Sequence, residues 1–150
     1  MGIYIWLKVV HVLAVVIWVG GITTIAILAN LFSRDAVAMG VLGRGMIAAG
    51  RAALMPGSII ALITGIAMLV VTGGKPPFWM LWGLIAGPGS GVIGGVFIRR
   101  TAMELVAVLA SGDAGTARAE ALRNRFKMLT TLNVLLLLSA VLLMVLKPRF

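Results

Sequence analysis

The chain has 150 residues, of which 61% are hydrophobic and 11% charged, against about 45–50% apolar and about 25% charged residues in a soluble domain. The apolar excess falls in blocks of about 20 residues, the length a helix needs to cross a hydrocarbon core, which excludes a soluble-domain reading. The net charge of +9 lies between those blocks, where cations meet anionic headgroups rather than nucleic acid, and the lack of cysteine excludes disulfides, thiolate metal sites, cysteine-ligated iron–sulfur clusters and covalently attached haem.

The first span is predicted over about Ile3 to Asn30, with Lys8 and His11 its only strongly polar members before Asn30. It is too long for a signal-peptide core and no small-x-small cleavage site follows it, so a retained membrane helix is expected. Leu31 to Arg51 carries Arg34, Asp35, Arg44 and Arg51 among small residues and glycines, and reads as a loop or a short interfacial helix. The second span covers about Ala52 to Val71. Thr72-Gly73-Gly74-Lys75-Pro76-Pro77 closes it with a tight turn at the membrane surface. The third covers about Phe78 to Ile98 and ends at Arg99-Arg100; the fourth covers about Met128 to Leu146, before Lys147-Pro148-Arg149.

Thr101 to Ala110 and Thr116 to Lys127 still read as helical, around a break at Ser111-Gly112-Asp113-Ala114-Gly115. The third and fourth helices are therefore expected to project into the cytoplasm and meet at that turn. A backbone inside lipid must hydrogen-bond to itself, so four apolar blocks mean four helices. The prediction is an all-α protein, a single-domain integral membrane antiparallel four-helix bundle with short connections.

An even number of spans puts both termini on one side. Arg34, Arg44, Arg51, Arg99, Arg100, Arg118, Arg123, Arg125 and Lys127 fall in the first and third loops, against Lys8, Lys75, Lys147 and Arg149 on the opposite side. The positive-inside rule then places the long loops in the cytoplasm and both termini in the periplasm. His11 lies about eight residues in from the outer end, roughly 12 Å along the helix, in the outer half of the membrane.

His11 is the single histidine of the chain and lies within an apolar span, where ionisable groups are costly and are read first as functional. A neutral imidazole is a common ligand of haem iron; its structural alternative is a bond to a neighbouring helix. Tyr4, Lys8, His11, Val15, Trp18 and Ile22 recur every three or four residues and share one helix face. Lys8 thus stands one turn above the histidine, placed to meet an acidic group of a bound cofactor or to snorkel to the headgroups, and Trp18 lies two turns below.

Trp6-x-Lys8-x-x-His11, followed after six residues by Trp18, resembles the HemJ-type membrane proteins and the wider group around the copper-resistance protein CopD. Pro56 and Thr64-Gly65 in the second span fit the same group, and Arg123-Asn124-Arg125-Phe126 leading into Leu129-Thr130-Thr131-Leu132-Asn133 is most similar to its four-helix predicted membrane relatives. The resemblance implies a small protein of the bacterial inner membrane that binds b-type haem through His11. In the HemJ type this goes with oxidation of protoporphyrinogen IX. The present chain departs from that type: it has no second histidine, no acidic residue within the predicted spans, and only Asn30 and Arg34 where an arginine-bearing polar segment is expected. The oxidase activity is therefore not carried over.

Met68, Met80 and Met144 are the outer-side candidates for a second axial ligand, with packing as their alternative role. Gly83, Gly87, Gly91 and Gly95 repeat every four residues along the third span, a spacing that lets helix backbones approach closely. They are expected to pack on another helix, a second copy of the chain or another membrane subunit, with a planar ring as a further candidate, and Pro88 should kink this helix midway. Gly57, Ala61 and Gly65 repeat the device in the second span. Thr130, Asn133, Leu137, Ala140 and Met144 share a face of the fourth, with Asn133 expected to bond across the interior. Phe78, Trp79 and Trp82 read as an outer aromatic belt. Asp35, Glu104, Asp113 and Glu120 all fall in predicted loops, so no carboxylate relay spans the membrane, and no nucleophile has a basic partner. The expectations are a haem-handling or redox protein using His11, a non-catalytic subunit of a larger respiratory or photosynthetic complex, or, third, a tetrapyrrole-oxidising enzyme.

Overall fold

A computed structural model describes residues 2–73 and 75–148. Helix α1 (Gly2–Leu31) is one unbroken rod. Helix α2 (Ala36–Ala49) passes through a π-helical turn (Gly50–Leu54) into α3 (Met55–Thr72), and α4 (Phe78–Val92) passes through a second (Ile93–Ile98) into α5 (Arg99–Ala110). Helix α6 (Ala117–Leu146) completes the described elements, among which there is no strand. Joined through their π-turns these are four rods of 30, 37, 33 and 30 residues, each long and apolar enough to cross a membrane. The shortest is about 45 Å long, against a hydrocarbon core of about 30 Å. All four therefore reach beyond the core.

Leu31 to Arg51 is largely helix rather than loop. Asp35 caps α2 by accepting the Ala38 N–H at 2.9 Å. Met39, Gly40, Gly43 and Met46 are buried at helical spacing, and the glycines bring the α2 backbone against Val106, Ala102 and Leu109 of α5. Of the two readings of this segment, loop or short helix, the helix is the one found, and its glycines are contact points. The α2–α5 pair and the first turns of α6 form one end of the molecule, around Met39, Leu105, Ala119 and Leu122.

The first π-turn has a local cause. Pro56 has no N–H and its ring crowds the carbonyl one turn back, so the preceding turn widens and the Met55 N–H reaches the Gly50 carbonyl, five residues away. Pro88 lies inside α4, and the irregularity beyond it comes over Gly94 and Gly95, where helix propensity is lowest and the Arg99 N–H reaches Gly94.

Neighbouring rods run antiparallel. Helix α1 packs on α3 and α6, α4 packs on α6, and the α3–α4 seam closes the ring with the least contact of the four. The inner faces of α1 and α6 supply Trp18, Ile22, Ile25 and Ala29, and Phe126, Val134 and Leu137, while Ile5, Val16, Ile63, Val70, Ile85, Leu135 and Leu142 cover the outside. Large aliphatic side chains facing outward along all four rods match a lipid-facing surface. The α3–α4 connection begins with Gly73 at φ 67°, a conformation that favours glycine. Gly74 of the predicted turn and Arg149 of the terminal basic pair lie outside the described residues.

Candidate functional site

Helix α1 presents His11 to α3. Its Nδ1 lies 2.8 Å from the Ala61 carbonyl and 3.1 Å from Thr64 Oγ1. A carbonyl oxygen only accepts, so Nδ1 carries a proton and donates it. Thr64 gives its own hydroxyl proton to the Ile60 carbonyl at 2.6 Å and offers the ring a lone pair. With the neutral ring protonated at Nδ1, Nε2 is a bare lone pair. Gly65 makes room for the ring, since a Cβ there would stand 3.3 Å from His11 Cε1. The small-residue face Gly57, Ala61, Gly65 thus receives α1: Gly57 takes the Ala14 carbonyl and Trp18, and Ala61 and Gly65 take His11. An imidazole whose Nδ1–H rests on a main-chain carbonyl is oriented as metal-ligating histidines are. The same bond also fastens two helices together.

The three residues singled out on α1 lie in different surroundings. Lys8 is exposed, one turn nearer the helix start. Trp18 is buried at 9% exposure and lines a cleft of about 350 Å³ that neither Lys8 nor His11 lines. Among the described residues no three histidine, aspartate or glutamate side chains group to hold a metal. A porphyrin brings four nitrogens of its own and asks one or two axial ligands of the protein, so a lone imidazole suits haem better than a bare ion. Met144 is occupied with packing, its Cε filling the space over Gly83; Met68 and Met80 are half-buried.

Polar residues of the other helices divide in an unforeseen way. Trp82 is more than a belt residue, since its indole N–H donates to Ser139 Oγ of α6 at 3.0 Å. Trp79 has the Lys147 ammonium 5.8 Å above its ring, and Phe78 is exposed. Asn133 does not bond across the interior. It is 1% exposed, yet its Oδ1 has no partner, and its Nδ2 lies beside Gly94 of the second π-turn, which has no side chain to answer. Ser90, also 1% exposed, has an unpartnered Oγ, although Thr24, Thr101 and Thr130 each return their hydroxyls to the carbonyl four residues back. The glycine repeat of α4 and the π-turn after it makes one helix contact within the chain: Gly83 meets Met144 of α6, but a Cβ on Gly87, Gly91 or Gly95 would meet nothing within 4 Å. Two polar residues in otherwise apolar spans, beside the glycine repeat, were the sequence signals for this region.

The molecule is thus of one class, an integral membrane four-helix bundle with a single imidazole clasped between its first two spans. Comparison of the chain with protein families, with curated proteins and with solved structures finds no match. Its chemistry is argued from these residues.

Proposed function

We propose that this protein binds a b-type haem in the bacterial inner membrane through Nε2 of His11, in a redox or haem-handling role. One observation carries the reading: the Nδ1–H donated to the Ala61 carbonyl leaves Nε2 as the iron-binding nitrogen and holds the ring against rotation. The resemblance of the Trp6–Lys8–His11–Trp18 pattern to the HemJ and CopD group supports it. Lys8, one turn nearer the membrane surface, is placed to meet a propionate. Thr64 shares the Nδ1 proton and keeps the tautomer. When bound, haem supplies a one-electron couple; the protein's part is to orient the imidazole and surround it with apolar side chains. The nine cations of the two long loops support a cytoplasmic loop end with both termini in the periplasm.

The test is an absorption spectrum of the detergent-purified protein, oxidised and then reduced with dithionite, beside His11→Ala. The wild type is expected to show a Soret band and reduced α and β bands, absent from a folded His11→Ala protein. A colourless wild type produced with ample haem overturns the reading.

A further inference from the structure

The cleft lined by Trp18 lies at the α3–α4 seam, far enough along α1 to be separate from His11, and nothing in the haem reading uses it. Its wall on α4 and the following π-turn is a backbone surface: Gly87, Gly91 and Gly95 all line it, and each faces open space where a side chain would stand. Ser90 and Asn133 also line it, bringing the two buried polar atoms of the described residues that have no hydrogen-bond partner. Such atoms are costly inside a low-dielectric interior unless something completes them. Arg51 and Arg99 line it too, as does Ser58, whose hydroxyl is given to the Met55 carbonyl. Both arginines are exposed, and the ion pair among the described residues joins Arg100 and Glu104 instead. No acidic residue lines the cleft.

We propose that this cleft binds an anionic phospholipid with a free hydroxyl or amide N–H in its linker. The acyl chain lies over the glycine wall, the linker group donates to Asn133 Oδ1 and meets the Ser90 hydroxyl, and the phosphate is held by Arg51 and Arg99. Each part answers a feature on the cleft wall. Asn133 Oδ1 can only accept, so the ligand must bring a donor. Two arginines without a carboxylate nearby call for an anion, and guanidinium groups recognise phosphate oxygens through paired N–H donors. Basic pockets between membrane helices hold anionic headgroups in this way. Arg99 stands five residues beyond Gly94, about 8 Å along the helix, and helical side chains lean toward the N-terminus. A side chain as long as arginine's can reach back from there toward the level of the Asn133 amide.

Native mass spectrometry of the detergent-purified chain tests this, with oleoyl lysophosphatidic acid as the probe. One molecule is expected to stay bound. Oleoyl lysophosphatidylcholine, with the same chain and hydroxyl but no net charge, should bind about tenfold or more weakly, the scale set by losing charge-assisted bonds. Inorganic phosphate should not compete. Asn133→Leu, Gly91→Leu and the pair Arg51→Gln with Arg99→Gln should each lose the bound lipid while keeping a cooperative melt. If Gly91→Leu fails to fold, the exposed arginine pair still decides the matter. Equal retention of the two lipids, or of the acid by all variants, marks ordinary boundary lipid and overturns the proposal. Competition by inorganic phosphate reduces the site to an anion pocket and overturns the lipid. A change of oligomeric state in Gly91→Leu with lipid retention unaltered assigns the glycine wall to a protein partner and overturns it as well.

Discussion

His11 hydrogen-bonds to atoms that keep other partners when it is removed. The Thr64 hydroxyl keeps its bond to Ile60 at 2.6 Å and lies 3.2 Å from the Ala61 carbonyl, so the one proton is shared between the two. Bonds between membrane helices contribute about 0.6 kcal/mol on average and seldom more than about 1.7. Thr64→Val is therefore expected to destabilise the bundle by about 0.5–1 kcal/mol, read as a small drop in melting temperature in detergent. His11→Ala should still fold, which is what makes its spectrum interpretable. Glycines separate into two kinds by what faces them. A Cβ at Gly57 would stand 3.3 Å from the Ala14 carbonyl and 3.4 Å from Trp18 Cβ, so Gly57→Val should cost about 1–3 kcal/mol by overpacking. Gly91→Ala meets no atom and gains helix propensity, up to about 1 kcal/mol. Melting curves of the two variants should move in opposite directions; equal losses would refute the open face on α4.

Among the elements, α2 is the one that composition hides. Gly40, Gly43 and Gly45 lie within it and Gly50 follows, and helix propensity alone argues against a helix there. Its stability comes from one cap and one close contact. Asp35→Ala removes the bond to Ala38 and should cost about 1 kcal/mol, visible as faster amide exchange over the first turn of α2 with the membrane spans unaffected. Gly43 lies where a Cβ would be 2.8 Å from Val106 Cγ2 and 3.6 Å from the Ala102 carbonyl. Gly43→Leu should part α2 from α5, and a cysteine pair placed at Gly40 and Leu109 should then lose its cross-linking. The π-turn before Pro56 was foreseeable in kind from the proline. That the widened turn lies on the wall of the α3–α4 cleft, with Gly50, Arg51 and Leu54 lining it, was not.

On the scale of the molecule, the ring of four rods puts the α3–α4 turn and both chain ends at one end, and the α2–α5 layer with most of the cations at the other. A C-terminal alkaline phosphatase fusion is expected to be active and the matching green fluorescent fusion dark. The reverse pattern would invert the topology, moving His11 to the cytoplasmic half and the arginine mouth of the cleft to the periplasmic one. The weak α3–α4 seam follows from connectivity: a short turn joins these helices, but α4 finds side chains to pack on in α6, where Trp82 meets Ser139 and Gly83 meets Met144. Toward α3 it offers glycine hydrogens, and a gap is left.

Hydropathy by itself determined that this is a membrane protein of four antiparallel helices, because in lipid a backbone can satisfy its hydrogen bonds only within each apolar block. Helical spacing also marked Gly57, Ala61 and Gly65 as a small-residue face of the second span, and put Thr130, Asn133, Leu137 and Ala140 on the buried face of α6. The remaining assignments depended on which faces meet, and spacing within one helix carries no information about its neighbour. Only the tertiary structure decided that His11 gives its Nδ1 proton to Ala61 and so bares Nε2, that Trp18 belongs to a different cleft, and that Asn133 has no partner. It decided too that the regular glycine repeat of α4 faces a cavity while the less regular glycines of α2 and α3 do the packing, since a glycine admits a neighbour but cannot specify that one comes.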